Sequence, residues 1–213
     1  MTHYLIYVGR HVALAVMQRE YIETHLMPWI NSPTATAGVL INPPVRLEDE
    51  IAWYEEIAKD KSQRIFAILV RDTLESDWRY VGHTGLHRIT WPNGTASTGT
   101  FIGDETVHGK GYGSEAKVLL LRHAFRFAGL RKITSEVKAF NDNSFGHLLK
   151  CGYKIIGVRK NHHFYQGDYV DEILFEVFNE DFEPVWKHYE ETGTVPKLTT
   201  EQLETMKSLM KKD

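Results

Sequence analysis

Three glycines at alternate positions, Gly109, Gly111 and Gly113, stand directly after a run of strand-like segments and directly before a long apolar helix pattern. Glycine lets a backbone turn tightly and approach a ligand with no Cβ in the way. The helix start that follows exposes unpaired N–H groups at the positive end of its dipole, and Lys110 adds a point charge. Together these read as a phosphate cradle; the plain alternative is a glycine-rich helix entry that holds nothing. Two nucleotide-binding patterns fail residue by residue. A Walker loop requires G-x-x-x-x-G-K-S/T, but Gly103 lies one residue too far from Gly109, and Gly111 stands where Ser or Thr would hold magnesium. A dinucleotide fingerprint requires G-x-G-x-x-G after one opening strand, whereas G-x-G-x-G here follows three.

The pattern on either side of the loop fixes the fold class. Residues 11–17 read as a strand, and residues 20–30 as a helix stopped near Pro28 and the Asn31-Ser32-Pro33 turn. Leu47, Ile51 and Tyr54 recur at helical spacing over 47–59, with acidic residues early and Lys59 late. The period then shortens. Segments 64–71, 79–90 and 96–103 read as three antiparallel strands, the last two joined at Pro92-Asn93-Gly94. The helix after the loop spans 112–128 and closes at Gly129. A strand over 132–139 and a short helix over 143–150, ended by Gly152, come next. Strands 153–159 and 169–178 close the series around Gln166-Gly167-Asp168. This order predicts an α+β (mixed α/β) domain with a mostly antiparallel sheet of about seven strands, not a regular βαβ alternation. The domain is expected over 1–180, with 181–213 a polar extension. There Thr199 and Gln202 suit a capping box for a terminal helix carrying Leu203, Met206, Leu209 and Met210 on one stripe.

Composition narrows the partners. A net charge of −3, from 25 basic and 28 acidic side chains, lacks the basic excess of a nucleic-acid binder. No window approaches the ~20 apolar residues of a membrane span. Residues 1–10 lack the features of a signal peptide, so the expected location is the cytoplasm. The single cysteine, Cys151, allows no internal disulfide and is expected to be a packing residue. The 11 histidines show no metal-ligand spacing, and no metal is expected.

Three blocks resemble the GNAT acetyltransferases. The G-K-G-Y-G-S-E-A run from Gly109 is similar to their pyrophosphate loop, R/Q-x-x-G-x-G/A, with Gly111 and Gly113 matching and His108 at the Arg/Gln position. Asn141-Asp142-Asn143-Ser144, with Leu148 to Tyr153 after it, resembles the N-x-x-S…L-x-x-x-G-F/Y segment of the ribosomal-protein-acetylating, RimJ/RimL-like branch. The turn Tyr165-x-Gly167-Asp168-Tyr169-x-Asp171 resembles the link between that branch's last two strands. The likeness covers roughly residues 10–178.

The resemblance implies an N-acetyltransferase in which a neutral amine attacks the thioester of acetyl-CoA directly. Phe101 and Ile102 are then expected to pair with the pantetheine arm. His108, Gly109, Lys110, Gly111, Tyr112, Gly113 and Ser114 would form the pyrophosphate loop, and Asn141 would bind the arm. Ser144 matches the serine proposed as acid toward the leaving thiolate, and its alternative role is capping the short helix. The tyrosine that many members carry four residues before the Gly152 position is Leu148 here, and a glutamate frequent in this branch is Ser97. Base candidates are His163, near the last turn, and His87, which shares a strand face with His83; Glu136 is an outsider. Tyr165 and Tyr169 are candidates for walls of the acceptor pocket. The partners implied are acetyl-CoA and an amine, either a small molecule or a protein N-terminus, on a monomer or homodimer. The competing class is a GNAT-fold sensor that holds CoA without turnover.

Overall fold

Val12 and Leu14 alternate with Ala13 and Ala15 in a strand too apolar to leave either face wet, and the molecule is built around covering both. The structure, a computed structural model, describes residues 2–39 and 43–210. Its strands are β1 (Leu5–Val8), β2 (Val12–Val16), β3 (Arg64–Val70), β4 (Arg79–Thr90), β5 (Thr95–Ile102), β6 (Lys132–Lys138), β7 (Lys154–Tyr165) and β8 (Asp168–Phe178). They form one eight-stranded sheet in the order β1-β2-β3-β4-β5-β6-β8-β7. The mixed α/β reading holds. The additional strand is β1, an edge strand with little buried surface and therefore no clear alternation to read.

Before β3 lie α1 (Arg19–Tyr21), a π turn (Ile22–Leu26), α2 (Met27–Ile30), α3 (Pro33–Thr36) and α4 (Leu47–Ile57). This helical run ends at Ile30, before the Asn31-Ser32-Pro33 turn, as the sequence predicts, with Pro28 at the start of α2. After β5 come α5 (Tyr112–Arg122), which runs on through a π turn (His123–Phe127), and α6 (Asp142–Lys150). Gly129, at φ +66°, ends the first of these as the sequence predicts.

The chain closes with α7 (Asn179–Thr192) and α8 (Thr200–Met210). The boundary expected at residue 180 is corrected here. Phe182, Val185, Trp186 and Tyr189 of α7 are buried in the main core, so 181–192 belongs to the packed domain. Its polar average hides one apolar stripe. The Thr199–Gln202 capping box does form, with Thr199 Oγ1 accepting from the Gln202 N–H and Gln202 Oε1 from the Thr199 N–H.

Strand alternation sends Val12, Leu14, Ile68, Val81, Ile133, Ile173 and Phe175 to a core under α5, α6 and α7. It sends Ala13, Ala15, Leu69, Tyr80 and Phe101 to a second core against Tyr21, Ile22, Leu26 and Ile30. Glu115 ties the first layer together. Buried on α5, its carboxylate accepts from the N–H groups of Arg10 and His11, at 2.6 and 3.1 Å, and from the Tyr189 hydroxyl at 2.7 Å.

The feature that makes a site is the parallel junction. A parallel pair needs a crossover, and α5 supplies it. The pairs are Thr95 with Lys132, Ala96 with Ile133 and Ser97 with Thr134. Beyond them β5 and β6 part, β5 held by β4 through Gly82–Ile102 and β6 held by β8.

Candidate active site

Where β5 and β6 part, a cavity of about 690 Å³ opens in the middle of the sheet. Its walls come from both strands and from the helices on either side of them. Thr98, Gly99 and Thr100 face Ser135, Glu136 and Val137 across it. From α5 comes Lys117; from the α6 region come Asn141, Ser144, His147 and Leu148; from β4 and the turn before β3 come His87, Arg88, Asp60 and Gln63.

At the end of β5 the chain enters the glycine loop. Gly109 and Gly111 sit in left-handed backbone at φ +76° and +86°, and a Cβ on either would meet nothing within 4 Å. Gly111 is the N-cap of α5. Among the described residues, the N–H groups of Gly109, Gly111, Tyr112 and Gly113 have no backbone acceptor. Four donors at the positive end of a helix suit a phosphate chemically. His108 Nε2 lies 3.1 Å from the Ile102 carbonyl, which ties the loop back to β5. Lys110 Nζ lies 3.6 Å from Asp72, and Lys110, Gly111, Tyr112 and Ser114 also line a smaller cavity of about 270 Å³.

Asn141 caps α6. Its Oδ1 accepts from the Ser144 N–H at 3.1 Å, so the cap role that Ser144 offered in sequence belongs to Asn141 and the Ser144 hydroxyl is left to the cavity.

His87 is held at Nδ1, 3.1 Å from Gln63 Oε1. An amide oxygen only accepts, so Nδ1 carries the proton and Nε2 keeps its lone pair. That Nε2 lies against β5, 3.3 Å from where a Cβ on Gly99 would stand. Burial, then the neighbouring Lys117 and Arg88 charges, holds His87 below the usual histidine range. It is a neutral imidazole with a free basic nitrogen in the cleft. Arg88, in left-handed backbone at φ 52°, bridges Glu136 through Nη2 at 2.9 and 3.0 Å.

The Phe101 ring is buried against His83, centroids 5.6 Å apart, while its backbone lies on the stretch of β5 beyond the β6 pairing. Other residues marked in the sequence lie elsewhere. His83 shares the face of His87 but is sealed against Trp53 and Phe101, away from the cavity lining. His163 does not line the cavity; its Nε2 lies 2.7 Å from Glu172 Oε1, and Arg159 donates to the other oxygen at 2.6 Å. His162, His163 and Glu172 place three ligand-type atoms within 4.8 Å of one another, but the Arg159 guanidinium already neutralises that carboxylate. Tyr165 stacks on Phe140 and Tyr169 is exposed, so neither walls the cleft. Cys151 is buried, its thiol pushed up to about 12 by desolvation, as befits a packing residue. The site residues that sequence reasoning missed are Lys117, Gln63 and Asp60. The only signal for Lys117 was a charge inside the otherwise apolar face of α5.

Three partly buried histidines also set the acid stability. Burial lowers His83 from 6.5 to about 4 and His147 to about 3, and lowers His87 as well. Below their unfolded values the unfolded chain binds more protons than the native state, so stability present above ~6.5 is lost as pH falls. Urea midpoints should therefore drop between about pH 6.5 and 5, before most carboxylates titrate. A flat profile across that window would mean that the histidines are solvated.

The acetyltransferase (GNAT) domain profile matches residues 13–154. An SPbeta prophage-derived uncharacterized N-acetyltransferase, YokL, of Bacillus subtilis (strain 168) is 30% identical over 132 residues, 62% of this chain and 70% of that protein. The spermidine N-acetyltransferase of Vibrio cholerae, solved with CoA and spermine, superposes with a TM-score of 0.73 at 18% identity, covering 81% of this chain and 98% of that one. A GCN5-related N-acetyltransferase from Brucella melitensis gives a TM-score of 0.71 at 18% identity, covering 96% and 93%. Among the described residues, no helix is long and apolar enough to cross a membrane.

Proposed function

This chain belongs to the GNAT acetyltransferase family and is an acetyl-CoA-dependent N-acetyltransferase, and on that premise we propose that it acetylates a singly charged primary amine inside the β5–β6 cleft. The observation that carries the reading is the splay itself. It leaves the edge of β5 from Gly99 to Ile102 without a strand partner, and that edge runs straight into the free N–H groups of the glycine loop. A pantetheine arm pairs with such an edge as a strand would, while Gly109 to Ser114 and Lys110 hold the pyrophosphate. Asn141 bonds the arm from the opposite wall. A backbone N–H of β5 serves as the oxyanion donor.

The amine needs a lone pair. His87, neutral and with Nε2 free, is the base that removes its proton. Two carboxylates, Asp60 and Glu136, line the cavity and attract the ammonium form. Glu136 is already paired with Arg88, and Asp60 is held by Ser62 and Gln63. With Arg88 and Lys117 on the same walls, the cleft has no acidic excess with which to hold a polyamine such as the spermine in the Vibrio structure. That favours a peptide N-terminus, as in the RimJ/RimL-like branch, or an amino sugar. The sensor alternative lacks this support, because a poised neutral histidine serves no purpose in binding alone.

An amine panel with acetyl-CoA tests the reading, with release of CoA thiol as the signal. Turnover of a glycine-terminated peptide or glucosamine above that of spermidine is expected. Preferred turnover of spermidine overturns the acceptor reading, and no turnover of any amine beside saturable CoA binding favours the sensor.

A further inference from the structure

Lys117 is the least expected side chain in the cleft. It sits on α5 among Ala116, Val118, Leu119 and Leu120, all in the core, and is itself only 1% exposed. Ammonium groups are almost never this buried without a partner. Among the described residues, Lys117 makes no hydrogen bond and no ion pair, although its side chain lines the central cavity. Its charge is felt at His87 on one side and at His147 and Cys151 on the other. A buried cation without a counter-ion, aimed into a reaction cleft, is waiting for an anion.

The reaction makes one there. We propose that Lys117 is the catalytic acid: its ammonium faces the thioester sulfur and hands it a proton as the CoA thiolate departs. This rests on the placing of the thioester in the β5–β6 cleft. The amine lone pair forms the C–N bond, and the carbonyl π pair moves to oxygen. As that pair returns, the C–S bond breaks and its electrons stay on sulfur. The proton passes from Lys117 Nζ to sulfur, giving the free thiol and a neutral lysine. Of the two protons that the incoming ammonium sheds, one recharges Lys117 and the other reaches solvent.

The other proton carriers in the cleft serve less well. His87 and His147 are held neutral by burial, and the Ser144 hydroxyl can give a proton only as fast as it receives one. Desolvation brings Lys117 from 10.5 to about 8, close to a thiol and well suited to exchange a proton with one. Its charge reaches His87 on β4, His147 on α6 and Cys151, and Glu136 and Ser135 of β6 and Ser144 of α6 line the same cavity. None of these is an anion paired to it. Leu148, which stands where many relatives carry a tyrosine, lines the same cavity and supplies no proton.

The test reads the sulfur rather than turnover. CoA bound to the wild-type protein is titrated with pH while thiolate absorbance is followed in the far ultraviolet, and binding is measured by calorimetry. A cation beside the sulfur should lower the bound thiol's pKa by a unit or more below that of free CoA, on the order of a 10-fold shift. Lys117→Met should abolish the shift, keep CoA affinity within about three-fold and cut kcat by roughly 10²–10³-fold. Lys117→Arg should restore the thiol shift but not kcat, since a guanidinium holds its proton too tightly to give it up. CoA binding with an unshifted thiol in the wild type overturns the role of Lys117 and leaves the cleft assignment standing. No CoA binding at all sinks the cleft assignment instead. The wild-type titration decides the matter even if a variant fails to fold.

Discussion

Gly111→Asp should weaken acetyl-CoA binding by more than about 100-fold while leaving the protein folded. Space decides why the effect falls on the ligand. A Cβ at Gly111 meets no atom within 4 Å, so the free protein accepts the side chain. The residue is left-handed, at φ +86°, and aspartate tolerates that region better than most, at a cost on the order of 1 kcal/mol. With a pyrophosphate on the loop the new carboxylate faces a like charge. Two unit charges ~4 Å apart repel by about 4 kcal/mol at an effective dielectric of 20, and about 2.8 kcal/mol is already 100-fold in affinity. Gly111→Asn, equal in bulk and neutral, should lose far less. Calorimetric titration of both variants separates charge from shape. Equal affinities for wild type and Gly111→Asp would remove the loop from the cofactor site.

Gly82→Ala should do the opposite and strike the fold first. Gly82 lies on β4 opposite Ile102, and a Cβ there would stand 2.0 Å from the Phe101 carbonyl oxygen and 2.9 Å from the Ile102 Cα. Both are backbone atoms, so no side chain can rotate away. The strands must separate, and the segment that separates is the one whose other edge is assigned to the pantetheine arm. A loss of at least about 3 kcal/mol is expected, a large share of the 5–15 kcal/mol that a domain possesses. Gly157→Ala on β7 is the control. Its Cβ would meet only Leu174 Cδ1, at 3.8 Å, and stability should hold or rise slightly. Urea denaturation of the pair gives the comparison. If Gly82→Ala unfolds within about 1 kcal/mol of wild type, the β4–β5 register described above is wrong.

Lys117 and Glu115 show how one helix serves two purposes. Two residues apart on α5, they are both buried and oppositely charged, but they point to different places. Glu115 is saturated by Arg10, His11 and Tyr189 and holds the layers together. Lys117 has no such partner among the described residues and lines the cavity. Buried charge that is satisfied supports a fold, and buried charge left open costs stability that only a function repays.

Sequence by itself determined what is local or repeats with a period. The apolar runs of β2 and β3, the strand pattern of β4 and the helical stripe of α5 follow from which faces must leave water. The left-handed glycines at 109, 111, 129 and 152 were legible because other residues are strained there. The loop, the Asn141–Ser144 segment and the order of the strands were enough to identify the family. Tertiary structure decided what converges. Nothing in 95–102 or 132–138 says that the two strands pair through Ser97–Thr134 and then part, because the divergence is imposed by β4 and β8 on their outer edges. His163 and His87 were both base candidates in the sequence, yet His87 lines the cleft and His163 turns to Glu172. Lys117 carried no reading in the sequence, and α7 read as part of a polar extension. A side chain's neighbours across 30 to 100 residues are set by packing of the whole sheet, and periodicity, which sees only the next turn or the next pleat, carries no record of them.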